Sequence, residues 1–118
     1  MALVCRGLRG ATTARDNTKE AILEATHELL ERLVEANDLK TEDVAATFFT
    51  TSQDLNAEFP AVAARQMGWE YVPLICGHEM NVQTGLPLCI RVMLLVNTEK
   101  RPEEMAHVYL QGAKDLRS

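Results

Sequence analysis

Three arginines stand inside otherwise apolar strand-like runs: Arg6 and Arg9 in "LVCRGLRGATT", and Arg91 in "LCIRVMLLVNT". A buried guanidinium carries an effective desolvation cost of several kcal/mol unless something pairs with it. An ion pair, or a side chain that reaches out to water, is the ordinary solution. Arginines in two such strands also suit a shared anion, because a planar fork of donors reads a carboxylate or phosphate in two-point fashion. Arg9 shares strand parity with Cys5 and Gly7, whose small side chains leave room for a ligand. Arg6 has the opposite parity and reads as structural or solvated. Glu79 follows a third strand, where it can pair with an arginine or accept a hydrogen bond from a ligand hydroxyl.

Other chemistry is poorly supplied. His27 lies off the apolar stripe of a helix and reads as solvated, and His107 at the start of a last strand reads as structural. His78 and Glu79 are adjacent and match no metal-ligand spacing. There is no GxSxG, P-loop or dinucleotide fingerprint. Cys76 is expected to be a small hydrophobe rather than a nucleophile, since nothing beside it favours a thiolate. Cys5, Cys76 and Cys89 lack CxxC spacing, make neither a disulfide framework nor a zinc site, and suit a reducing cytoplasm. The residues alone therefore point to a small-anion site with no evident nucleophile, metal or cofactor.

The totals narrow the setting. With 118 residues the chain is expected to be one domain, residues 1–118, with one core. A net charge of −5 argues against nucleic acid or an anionic membrane as partner, since both need a basic footprint. No stretch reaches the roughly 18 apolar residues of a membrane span. Arginines in "MALVCRGLRG" occupy the place of a signal peptide's apolar core, so no export signal is expected.

These side chains need elements to carry them. Leu3 to Thr13 reads as a first strand. Asn17 with Glu20 resembles a capping box. The following helix carries a stripe of Ile22, Ala25, Leu29, Leu33 and Ala36 and ends near Asn37, with Glu20, Glu24, Glu28, Glu31 and Arg32 largely off it. Thr41 is expected to cap a short turn, and Ala45 to Ser52 is a second strand. Pro60 and Gly68 bracket a short helix. "YVPLIC" reads as a third strand, at an edge or a bulge because of Pro73. Leu88 to Thr98 is the fourth and longest, "HVYL" a possible fifth, and "GAKDLRS" a fraying end. One sheet carrying a helix is an α+β layout.

Two sheet faces need two covers. Ile90, Val92, Leu94 and Val96 form a clean apolar face suited to the long helix. Cys89, Arg91, Met93 and Leu95 are also mostly apolar, so both faces read as buried. The simplest second cover is another copy of the chain, with Arg91 turned toward that interface.

The segments "RGLRGATT", "DLNAEFPAVAARQMGW", "YVPLICGHEM", "CIRVMLLVNT" and "HVYL" together resemble the monofunctional AroH-type chorismate mutases of bacteria. The resemblance covers nearly the whole chain in order. It implies a mixed five-stranded sheet with one long helix and a short helical turn, three copies of which close into a homotrimeric pseudo-α/β barrel with active sites between subunits. The implied reaction is the intramolecular Claisen rearrangement of chorismate to prephenate, toward phenylalanine and tyrosine. It needs no cofactor, metal or nucleophile.

Carried over by position, Arg91 lies against the ether oxygen and Arg9 binds a substrate carboxylate. Tyr109 meets the enolpyruvyl carboxylate. Glu79 meets the ring hydroxyl and orients the nearby arginine. Cys76 lines the ring pocket. Phe59, Ala61, Arg65, Leu74 and Ile75 are wall positions, part of them from a neighbouring subunit, and Leu116 and Arg117 belong to a mobile segment that closes the mouth. Some relatives carry lysine where this chain has Val62, which removes any steering from that position. A non-catalytic trimer that binds a small carboxylate at the same clefts is the alternative reading.

Overall fold

The computed structural model describes residues 2–116. Its elements are strand β1 (Val4–Thr13), helix α1 (Lys19–Asn37), β2 (Val44–Thr51), the short helix α2 (Ala61–Gln66), β3 (Leu74–His78), β4 (Cys89–Thr98) and β5 (Val108–Tyr109). They form one five-stranded sheet in the order β3-β2-β4-β1-β5. β4 runs antiparallel to both neighbours, β1 and β2, while β5 is parallel to β1 and β3 is parallel to β2. β1 and β2 therefore point the same way, and α1 supplies the crossover that parallel strands require. The mixed α+β layout with one long and one short helix matches the expectation.

α1 packs on one face of the sheet. Leu29, Leu30 and Leu33 meet Leu8, Phe49, Val92, Leu94 and Val96 in the main core. A second cluster joins Ile22, Ala21 and Ala25 to Leu55 and Ile90. The expected β4 face of Ile90, Val92, Leu94 and Val96 is buried as read. Gly10 sits beneath the helix, where an added Cβ would stand 2.9 Å from a Leu33 methyl. A side chain there would displace the methyls of Leu33 and Leu29, so glycine lets the helix lie close.

Several boundaries shift. The cap of α1 is Thr18, not Asn17: its extended backbone lets Oγ1 accept from the Ala21 N–H. Asn17 is committed elsewhere, its Oδ1 accepting the Asn56 and Ala57 N–H groups. The buried stripe of α1 ends at Asn37, while Ala36 is exposed. The turn at Thr41–Asp43 has no side-chain cap, so Thr41 does not cap it. β3 starts after Pro73 rather than at Tyr71, because proline brings no N–H to a ladder. Its carbonyl still accepts the Thr47 N–H, and β3 is an edge strand as expected. Gly68 follows α2 with φ +88°, the expected glycine stop.

Residues 111–116 do not read as a fraying end. Gln111–Ala113 form a 3-10 turn, Ala113 is fully buried, and the Gly112 N–H donates to Thr13 Oγ1. The tail is held against β1 by those contacts.

Candidate active site

On the face away from α1, register sets the neighbours. Arg91 on β4 lies opposite Ala11 on β1 and Thr50 on β2. Arg9 lies opposite Met93, and Tyr109 on β5 lies opposite Ala11. Three adjacent strands, β4, β1 and β5, thus bring Arg91, Arg9 and Tyr109 to one cavity of about 240 Å³, which Glu79 also lines. Small residues flank Arg91, so the guanidinium has room. Sequence parity for Arg9 and Arg91 holds.

Glu79 directly follows β3, anchored by its N–H to the Thr51 carbonyl at 2.7 Å. Thr50 Oγ1 donates to Glu79 Oε1 at 2.6 Å, and Arg91 Nε lies 3.3 Å from the same oxygen. That contact is an ion pair without hydrogen-bond alignment, since Arg91 Nε is buried and lacks a hydrogen-bond partner among the described residues. Both side chains remain about a third exposed, so the pair itself adds little stability. The Tyr109 hydroxyl is likewise buried without a partner among the described residues. Each buried group left unmatched costs about 1–3 kcal/mol. A ligand rich in acceptor oxygens relieves both.

Other expected site residues lie apart from this group within one chain. Cys76 stands opposite Phe49 in register, on the helix-side face, and with Phe59 it lines a separate cavity of about 330 Å³. Burial raises the Cys76 thiol pKa, partly offset by a hydrogen bond from the Ala61 backbone. The thiol form is favoured, in keeping with a contact rather than a nucleophile. Leu74 and Ala61 pack against the main core. Arg65 Nη1 donates to the carbonyls of Trp69 and Glu70, closing the end of α2. Ile75 shares the face of Phe48 and is exposed. Leu116 is half-buried at the end of the described tail, and Arg117 lies outside the described residues.

Thr50 is the residue that carried no signal in the sequence. Its role depends on β2 lying beside β4, a pairing that alternation within β2 cannot reveal.

A two-arginine cleft with one carboxylate and one buried phenol fits a small polyanion. Residues 5–118 match the family model described as chorismate mutase type I. The chain belongs to that family. It is 46% identical to the chorismate mutase AroH of Bacillus subtilis (strain 168), over 98% of this chain and 91% of that protein. It is 47% identical to the chorismate mutase AroH of Thermus thermophilus, over 95% of this chain and 93% of that one. A solved chorismate mutase from Clostridium thermocellum superposes with a TM-score of 0.90 at 47% identity, covering 92% of this chain and 96% of that chain. As a type I chorismate mutase, the chain is an isomerase, and these matches favour catalysis over the carboxylate-binding alternative.

Proposed function

We propose that the Arg9–Glu79–Arg91–Tyr109 cleft rearranges chorismate to prephenate. The reaction is intramolecular: the ether C–O bond breaks while a C–C bond forms between the enolpyruvyl chain and the ring. No proton moves and no covalent intermediate forms. The site's task is to hold the flexible chain over the ring and to stabilise charge as it separates. Arg91 donates to the ether oxygen, where negative charge develops. Arg9 and Tyr109 bind substrate carboxylate oxygens. Glu79 meets the ring hydroxyl and keeps Arg91 oriented, itself steadied by Thr50.

The observation that carries this reading is Arg91 Nε, buried yet unmatched beside Glu79. A donor held without an acceptor is already arranged for the transition state and needs no reorganisation there.

The assembly proposed is a homotrimer whose three sheets close into a pseudo-α/β barrel. The cleft face leaves Phe48 and Ile75 exposed, as Phe59 is on its own rim. Apolar groups of that size in one chain suit burial by a second copy. The neighbour then brings Phe59, Cys76 and the Leu74, Ala61 and Arg65 wall against the arginines. Leu116, at the end of the described tail, closes the mouth.

Purified protein is expected to consume chorismate, followed as loss of its ultraviolet absorbance, and to yield prephenate. A correctly folded trimer without turnover overturns the reading. Sedimentation equilibrium at three times the chain mass supports the assembly, and a monomer that turns over at full rate removes it.

A further inference from the structure

Tyr109 sits on the least self-sufficient element of the sheet. β5 has two residues and pairs with β1 only at Gly10 and Ala11. So short a strand cannot set its own position, and something outside it must. Asn37, the last residue of α1, is 3% exposed. Its Oδ1 accepts the Ala106 N–H at 2.8 Å, and its Nδ2 donates to the Ala106 carbonyl at 2.9 Å. A second Nδ2 bond, 3.0 Å to the Leu33 carbonyl, locks the carboxamide to its own helix. The Asn37 carbonyl also accepts Lys100 Nζ at 3.0 Å.

We infer that Asn37 is a positioning residue for Tyr109, acting through this two-point clasp on Ala106; the inference rests on the site role given to Tyr109 above. The clasp imitates a strand pairing by means of one side chain. It fixes both polar groups of Ala106, three residues before Tyr109, to the rigid end of the long helix. Met105 enters the main core just before it, and the Arg9 N–H donates to His107 Nδ1 just after it. Tyr109 and Arg9 are thereby referred to the same frame. Only an amide of this length fits. Aspartate keeps the acceptor and loses both donors, while alanine leaves the N–H and the carbonyl of Ala106 without this partner.

The test uses full-length protein carrying 3-fluorotyrosine. The chain has two tyrosines, and Tyr71 is 91% exposed, so the two fluorine signals separate by environment. Two variants are compared, Asn37→Ala and Asn37→Ser. The serine retains a hydroxyl for the Leu33 carbonyl but is too short for Ala106. Both are expected to shift or broaden the Tyr109 signal and leave that of Tyr71. Both are expected to lower kcat/KM, by up to about a hundredfold for a misplacement of about 1 Å. In a Tyr109→Phe background the same changes should add nothing further. Ile22→Val, a loss in the other core cluster, serves as the control for lowered stability and should move neither readout. An unmoved Tyr109 signal overturns the inference, as does a loss that multiplies fully with Tyr109→Phe. If neither Asn37 variant folds, Asn37 holds the fold rather than the tyrosine, and the inference fails. Absence of turnover in the unmutated protein refutes the chorismate reading alone, since the fluorine signals report the clasp without substrate.

Discussion

The two faces of the sheet are made by the same strands and serve opposite ends. Toward α1, Leu8, Phe49, Ile90, Val92, Leu94 and Val96 are closed off by the chain's own helix. One residue along each strand, Arg9, Phe48, Thr50, Arg91 and Met93 line an open cleft. The first face is covered within the chain, and its two hydroxyls without partners among the described residues, those of Thr12 and Thr47, lie sealed in the core beneath the helix. The second holds an arginine Nε and a tyrosine hydroxyl buried without partners among the described residues. Alternation lets one strand supply a core and a site at once, because successive side chains point to opposite sides. Stability and chemistry are therefore separable by parity, and substitutions can test that division.

The largest effect belongs to the open face. Arg91→Ala is expected to lose at least about 3–4 kcal/mol of transition-state stabilisation, the scale of an oxyanion donor. Steady-state kinetics should place the loss in kcat, with an unchanged circular dichroism spectrum. A rise in KM alone would mean that Arg91 only binds.

Next comes its counterpart on the closed face. Leu94→Ala opens a cavity under α1 and is expected to cost about 2–5 kcal/mol of stability. Urea unfolding reads the loss, while kcat per folded site stays near that of the parent. If both faces lost stability and activity together, the division by parity would be wrong.

Thr50→Val is smaller and sharper. It removes the hydroxyl donated to Glu79 and keeps the shape of the strand. A hydrogen bond to a charged group is worth about 1.5–3 kcal/mol, and partial exposure of Glu79 places the expected loss in kcat/KM at the low end. Unaltered kinetics would show that Arg91 does not depend on a fixed carboxylate.

The smallest effects concern pH. No proton moves in the reaction, so kcat should stay flat through neutrality, and a bell-shaped profile centred there would contradict the mechanism. Stability should fall on the alkaline side. Burial raises the thiols of Cys76 and Cys89, the latter partly offset by Arg91. A raised folded value means that the unfolded chain releases its protons first. The contribution is thus full below the unfolded thiol pKa and is lost as pH rises through the folded values. Urea midpoints at neutral and alkaline pH should differ, and replacing both cysteines with alanine should reduce the difference.

Much of this was legible in particular residues. The clean alternation of β4 placed Ile90 to Val96 against the helix and Arg91 away from it. Pro73 marked an edge strand, and Gly68 ended α2. The five matched segments carried the family. Less legible were the points where one side chain could serve two purposes. Asn17 and Thr18 are both good caps, and only the distant loop at Asn56 decides that Asn17 is spent there. Ala36 looks more apolar than Asn37, yet the helical phase buries Asn37 and lets it clasp Ala106. The tail past Leu110 reads as polar, but Ala113 finds a buried seat beside β1.

The sequence by itself determined the class, the parity of each strand and the family, because periodicity and residue type are local properties that one chain order suffices to display. Tertiary structure decided which residues meet. Thr50, Glu79 and Arg91 form one group because β2 pairs with β4 in a given register and β3 ends beside them. Cys76 and Phe59 fall into a second cleft because the register of β3 on β2 turns Cys76 toward the helix side. Register is set by packing between strands far apart in the chain, and a shift of one residue would exchange the faces.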